Sequence, residues 1–189
     1  MSSIVTSTVY FEKPGPENTE ETIRLAKVRA DSLGIRNIAI ASSTGKAGLL
    51  ASEVFKGYNL VIITHVTGFS EPNVQRFQPE NRERILGNGA KILTAAHAFG
   101  GLGRAVNRSF NTIQVDEIIA NVLRLFGQGT KVAVECVLMA ADAGLLDMSQ
   151  EVMSIAGTEY GADTALVLKP VYSHEFFALG VREIVAKPR

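Results

Sequence analysis

Short β-rich runs that alternate with longer segments of helical period predict an α/β fold, a three-layer α/β/α sandwich around a mostly parallel sheet. Two further observations support it: residues 37–64 read as a complete βαβ unit, and the same rhythm recurs downstream. The β-rich pattern begins at Val9. In the first helix, Ile23, Ala26, Ala30 and Leu33 share one face, while Glu20, Glu21, Arg24, Lys27 and Asp31 keep the rest wet. Asn18 with Glu21 three residues on resembles a capping box, and Gly34 supplies the stop. A strand at 37–41 leads through Ser42-Ser43-Thr44-Gly45 into a helix whose buried stripe is Ala47, Leu50, Ala51 and Val54. The strand 59–64 closes the unit. Pro79 suits the first position of the next helix, and 90–94 reads as the strand after it.

Helix 116–126 rests on Ile118, Ile119, Val122, Leu123 and Phe126, with Gly127 and Gly129 stopping it. The run 131–146 fits a buried helix through Val132, Cys136, Val137, Ala140 and Gly144, yet Val132-Ala133-Val134 also suits the start of a strand; length decides for helix. Strands follow at 152–156, 165–168 and 181–186, the last two expected as neighbours joined through Pro170 and the loop 172–177. No repeat, low-complexity tract or Ser/Pro linker divides the 189 residues, so 1–189 reads as one α/β domain.

The composition, 46% hydrophobic and 20% charged, is that of a globular chain able to bury a core. Nineteen basic side chains cancel nineteen acidic ones, which removes the electrostatic drive that nucleic-acid and acidic-membrane binders depend on. No apolar stretch approaches the roughly 18 residues of a membrane span. One cysteine, Cys136, cannot form an internal bridge, and no secretion-type leader is seen, so a reduced, cytoplasmic protein is expected.

Ligands of open α/β sheets bind beyond the carboxyl ends of the strands, where loops meet helix N-termini. The loops to read are therefore 12–18, 42–45, 64–70, 94–104 and 157–164, each rich in Gly, Ser, Thr or His. Ser42, Ser43, Thr44 and Gly45 stand directly before a helix as a candidate phosphate cradle, with Lys46 adding charge; the alternative is simple helix capping. Thr64, His65, Thr67, Gly68 and Phe69 offer an imidazole, hydroxyls and an aromatic ring. His97 precedes a Gly-rich turn, and Arg104 can hold a phosphate or carboxylate through two parallel bonds. Gly157, Thr158, Gly161, Ala162, Asp163 and Thr164 provide small residues and a carboxylate suited to sugar or ribityl hydroxyls. Turn chemistry alone is the competing account of each loop.

Named motifs fail. Val106 and Val132 occupy the third-glycine positions of the two Gly-x-Gly pairs, and Gly45-Lys46 lacks the flanks of a phosphate-binding P-loop. His174-Glu175 has Ala178 where a zinc-protease helix needs its second His, and no metal cluster is expected. Cys136, among Val134, Val137 and Leu138, reads as a buried apolar thiol.

The run from Ile38 to Ala47 through Ser42-Ser43-Thr44-Gly45, continued by Asn59-Leu60-Val61-Ile62-Ile63-Thr64, resembles the start of the C-terminal α/β domain of pyruvate kinases. Tyr10-Phe11-Glu12-Lys13-Pro14-Gly15-Pro16, Thr64-His65-Val66-Thr67-Gly68-Phe69, Met139-Ala140-Ala141-Asp142-Ala143-Gly144 and Gly161-Ala162-Asp163-Thr164 look more closely like a family of small stand-alone proteins with that fold, known mainly from archaea and some bacteria. That family is associated with flavin mononucleotide (FMN). The resemblance therefore implies FMN as cofactor, its phosphate on Ser42, Ser43, Thr44 and Gly45. Loop placement puts the ring and ribityl contacts among Thr64, His65, Thr67, Gly68, Phe69 and the loop 157–164. Phosphoryl transfer from phosphoenolpyruvate is excluded, since a catalytic barrel alone needs about 250 residues. Three readings follow: binding of FMN or a similar phosphorylated molecule; an enzyme using His65 or His97 as acid or base; and a regulatory or assembly module, which requires a large apolar surface patch. A homo-oligomer is compatible with all three.

Overall fold

The computed structural model describes residues 3–189. Its elements in chain order are β1 (Val9–Phe11), α1 (Thr19–Leu33), β2 (Asn37–Ala41), α2 (Lys46–Val54), β3 (Asn59–Ile63), α3 (Pro79–Gly87) and β4 (Lys91–Leu93), then α4 (Leu102–Phe110), α5 (Val115–Arg124), α6 (Gln128–Asp142), β5 (Val152–Ala156), β6 (Thr164–Lys169) and β7 (Gly180–Pro188). All seven strands form one sheet in the order β1-β7-β6-β5-β2-β3-β4. The pairs β5–β2, β2–β3, β3–β4 and β1–β7 are parallel, whereas β6 is antiparallel to both neighbours. The fold is thus α/β with a mixed, mostly parallel sheet between two helical layers, and β6 alone runs against the others. Its reversal makes the β5–β6 connection a hairpin. That connection consequently turns at the edge where β1, β2, β3 and β4 also end.

On one face, Ile23, Ala26 and Ala30 of α1, Ala47 and Ala51 of α2 and Ile85 of α3 pack on Ile38, Ile40 and Ile62 of the sheet. On the other, Val134, Val137 and Leu138 of α6 and Ala120 of α5 pack on Ala39, Val61 and Leu166. Helix α6 is apolar on nearly every side and is the most deeply buried helix, as expected of one sandwiched between a sheet and further helices.

Several sequence expectations change. The capping box at Asn18 does not form: its side-chain amide donates instead to the Lys13 carbonyl at 2.8 Å, and Glu21 pairs with Arg24 at 2.7 Å. Gly34 does stop α1, at φ 69°. Leu33 is partly exposed, while Gly48 and Ser52 join Ala47 and Ala51 in the buried face of α2, with Leu50 and Val54 only half-buried. The loop 94–104 ends early, because α4 begins at Leu102, so Arg104 is a helical residue. Helix α6 starts at Gln128 and ends at Asp142, leaving Gly144 outside. A 3-10 turn, Ser173–Ala178, takes the place of the loop at 172–177.

Candidate functional site

The loops after β1 to β5 do gather at one sheet edge, and a cleft of about 220 Å³ opens among them. Ala41 and Ile63, at the ends of β2 and β3, form its floor. Ser42 and Ser43 approach from the β2–α2 loop, His65 and Phe69 from the loop after β3, His97 and Arg104 from the β4–α4 segment, and Gly157 and Gly161 from the hairpin. The opposite wall is α6, through Gln128, Lys131, Glu135 and Cys136.

Helices α2, α4 and α6 all begin at this edge, so their unsatisfied N–H groups favour negative charge there. Among the described residues, no acceptor receives the backbone amides of residues 43–47. Ser42 Oγ accepts the Gly48 N–H at 3.1 Å, so this serine satisfies one of the first amides of α2 from outside the helix, whose N-cap position is Gly45. The Thr44 carbonyl is taken by the Gln78 amide and by Asn81 Nδ2, each at 3.1 Å. Gly45 has φ +91°, and a Cβ there would lie 2.7 Å from Asn81 Cβ, because Phe77 and the first turn of α3 cover the loop. Thr44, Gly45 and Lys46 therefore do not line the cleft. What this loop presents to it is Ser42 and Ser43.

The rings of His65, Phe69 and His97 form a cluster with centroids 4.8, 5.5 and 5.4 Å apart, making an aromatic wall. Arg104 stacks over Phe69 at 5.3 Å. On the far side of Phe69, His97 and Arg104 lies a second cleft of about 200 Å³, to which Gly68 contributes. Thr67 is exposed and lines neither. Thr64 is buried, its hydroxyl bonded to the Thr94 hydroxyl at 2.7 Å and to the His65 carbonyl. His174 stands apart, stacked on Tyr172.

The hairpin residues behave differently from the sequence expectation. Asp163 is fully buried: Oδ2 accepts the Gly15 and Thr158 amides at 3.2 and 3.1 Å, and Oδ1 accepts the Thr164 hydroxyl at 2.7 Å. Ala162 and Thr164 are equally buried. With Thr158, these three residues hold the rim together and present nothing to the cleft. Glu159 and Tyr160 line it instead, and Tyr160 OH accepts a hydrogen bond from Arg76 Nη1 across the rim at 3.3 Å.

The sequence reading missed Arg124, Gln128, Lys131 and Glu135. Lys131 and Glu135, 6% and 5% exposed, form an ion pair at 2.5 Å, and Glu135 Oε1 also accepts the Phe99 amide at 2.9 Å. Their spacing on α6 was the available signal, since a helix apolar all round leaves an i, i+4 charge pair no wet face.

Burial holds both cleft imidazoles below the ordinary histidine range; the Arg76 charge adds to this at His65, and the neighbouring His65, Lys131 and Arg104 add at His97, while Glu135 opposes at both. His97 Nε2 accepts the Val66 amide at 3.3 Å, which places the ring proton of the neutral form on Nδ1. His65 Nε2 lies 3.5 Å from Ser43 Oγ, and its buried Nδ1 has no partner. Burial pushes the Cys136 thiol up, so it is not a thiolate. Because the folded chain holds fewer protons at the two histidines than the unfolded chain, stability is full above the unfolded value near about pH 6.5 and falls as the pH drops toward the folded values. Urea unfolding at about pH 7.5 and about pH 5.5 should show this loss, and the double variant His65→Asn/His97→Asn should show less of it. An equal loss in both proteins excludes the histidines as its source.

Among the described residues, no group of three His, Cys, Asp or Glu side chains is placed to hold a metal ion, and no helix is long and apolar enough to cross a membrane. No family model matches the chain. Among solved structures it has a limited likeness to the NH3-dependent NAD synthetase from Campylobacter jejuni subsp. jejuni NCTC 11168 in complex with the nitrate ion, with 12% sequence identity and a TM-score of 0.32. The match covers 72% of this chain and 54% of that one, so the chain spans about half the length of the protein it matches.

Proposed function

We propose that the cleft binds a phosphorylated small molecule, with FMN, the ligand implied by the sequence resemblance, as the first candidate. The observation that carries the reading is that Ser42 and Ser43, just before the N-terminus of α2, line a cleft that also holds Arg104, Arg124 and an aromatic wall, with the Ser43 amide left without an acceptor. Amides at a helix N-terminus and guanidinium groups are the donors that phosphate oxygens need. Ser43 would supply a hydroxyl to the same anion. The faces of Phe69, His65 and His97 suit a flat heteroaromatic ring. Each of the two adjoining clefts is smaller than the roughly 300–1,000 Å³ of ordinary ligand pockets, so a molecule of flavin size would use both, reaching across Phe69 and Arg104. Bound flavin would supply a ring that accepts and returns electrons; the chain's own residues would hold the phosphate, orient the ring and limit access of water.

Mass spectrometry of what leaves the denatured protein, together with titration of FMN by quenching of its fluorescence, tests this directly. Arg104→Ala should weaken FMN binding about ten- to a hundredfold, Ser43→Ala about two- to tenfold, and riboflavin, which lacks the phosphate, should bind at least tenfold less tightly than FMN. No retained ligand and no uptake of FMN or of any phosphorylated metabolite in a panel would overturn the proposal. The neutral imidazoles and the partnerless Nδ1 of His65 favour a second reading, an enzyme with acid–base chemistry at His65 or His97. That reading requires His65→Asn to leave FMN affinity within about twofold while slowing turnover of a screened substrate about a hundredfold.

A further inference from the structure

Helix α4 is amphipathic but faces the wrong way for a core helix. Its polar side packs inward: Arg104 lies over Phe69, Asn107 Nδ2 donates to Glu117 at 2.7 Å, and Gly103 sits against the Asp116 carboxylate. Its apolar side, with Leu102 at 85% and Phe110 at 74% exposed, faces solvent, and the helix has no buried residue. Helix α5, packed against α4, continues this surface. It turns Ala120 and Leu123 toward α6 and leaves Val115, Ile118, Val122 and the adjoining Leu125 exposed. The exposed arginines of these two helices, Arg108 and Arg124, line the clefts.

The six residues, 48–85% exposed, leave on the order of 700 Å² of surface open between them, above the roughly 300–600 Å² of the largest patch on a typical monomer and close to one partner's share of a standard interface. We infer that this α4–α5 face pairs with the same face of a second copy of the chain, in a two-fold, self-complementary contact. The area is close to what a stable dimer needs, the exposed arginines of α4 and α5 line the clefts, and the chain's net charge of zero opposes no self-association. A lipid surface fits less well. Interfacial helices pair an apolar face with a cationic one that meets headgroups, and here Arg104 and Arg108 both line the clefts. This inference does not depend on what the cleft binds.

Sedimentation equilibrium of the full chain from about 1 to about 200 µM, a range that brackets weak to moderate dimer constants, is the test. The expected species has twice the 20.3 kDa chain mass. Leu125→Glu and Phe110→Glu, on separate segments of the face, should each raise the dimer dissociation constant at least a hundredfold, and Val28→Glu on the exposed side of α1 should leave it unchanged. Hydrogen exchange of the unaltered protein provides a readout that needs no variant: protection of α4 and α5 amides should rise with protein concentration. A monomer across the whole range overturns the inference. So does an assembly insensitive to both glutamates, or flotation with phosphatidylcholine–phosphatidylserine vesicles without self-association.

Discussion

Replacing Lys131 with methionine is expected to destabilise the protein by about 3–5 kcal/mol, the usual cost of leaving one member of a buried ion pair without its partner. Both side chains are nearly removed from water, at 8% and 7% exposure, and the glutamate cannot swing out to solvent because Oε1 is committed to the Phe99 amide. Lys131 also lies 5.6 Å from the Phe99 ring centroid, so the pair fixes the segment that carries His97 and opens α4. The double variant Lys131→Met/Glu135→Gln separates charge from packing. Glutamine keeps an oxygen for the Phe99 amide and removes the uncompensated charge, so the double variant should recover more than half of the single variant's loss. Urea denaturation of the three proteins measures both quantities. An equal loss in the single and double variants excludes a buried charge as the cause and leaves only the lost lysine packing.

The pair also marks the limit of what the residues reveal when read in order. Runs such as Ile38-Ala39-Ile40 and Leu60-Val61-Ile62 announce strands because a strand covered on both faces is apolar throughout, and such a run does not depend on distant partners. The gathering of loops at one edge follows from the same logic, because parallel strands all end on the same side. The reversal of β6 had no such local signal. A strand's direction is set by its neighbours, and here it is what brings the hairpin 157–163 to the rim. Read in order, the residues place only the first turn of α4, to Arg104, in a glycine-rich loop and give 105–110 no element, since Gly100, Gly101 and Gly103 mask the start and its apolar side has no core to match. In α5, Ile118, Ile119, Val122 and Leu123 did announce a helix, but periodicity cannot tell an apolar side that meets the core from one that meets solvent. The approach of Ser42 and Ser43 to the cleft was legible in the sequence; the cover over Thr44 and Gly45 comes from Phe77 and Asn81, more than thirty positions away in the chain.

Asp163 gives the second large effect, and it distinguishes a residue that builds the rim from one that touches a ligand. Asp163→Ala is expected to cost about 3 kcal/mol or more, because it strands the Gly15 and Thr158 amides in a buried setting and removes the partner of the Thr164 hydroxyl. Those contacts join the segment after β1 to the hairpin, beside the bonds from the Ala162 amide to Thr19 Oγ1 and from Thr22 Oγ1 to the Ala162 carbonyl. Losing them frees the hairpin that carries Glu159 and Tyr160 over the cleft. Asp163→Asn retains an oxygen for the two amides and turns its NH2 toward the Thr164 hydroxyl, which accepts as readily as it donates. The asparagine should therefore lose less than half as much stability as the alanine. Hydrogen exchange at Gly15 and Thr158 should collapse in the alanine variant and stay slow in the asparagine variant. If ligand affinity falls equally in both variants while exchange at Gly15 stays slow in both, Asp163 contacts the ligand directly and its place as the buried knot of the rim is wrong.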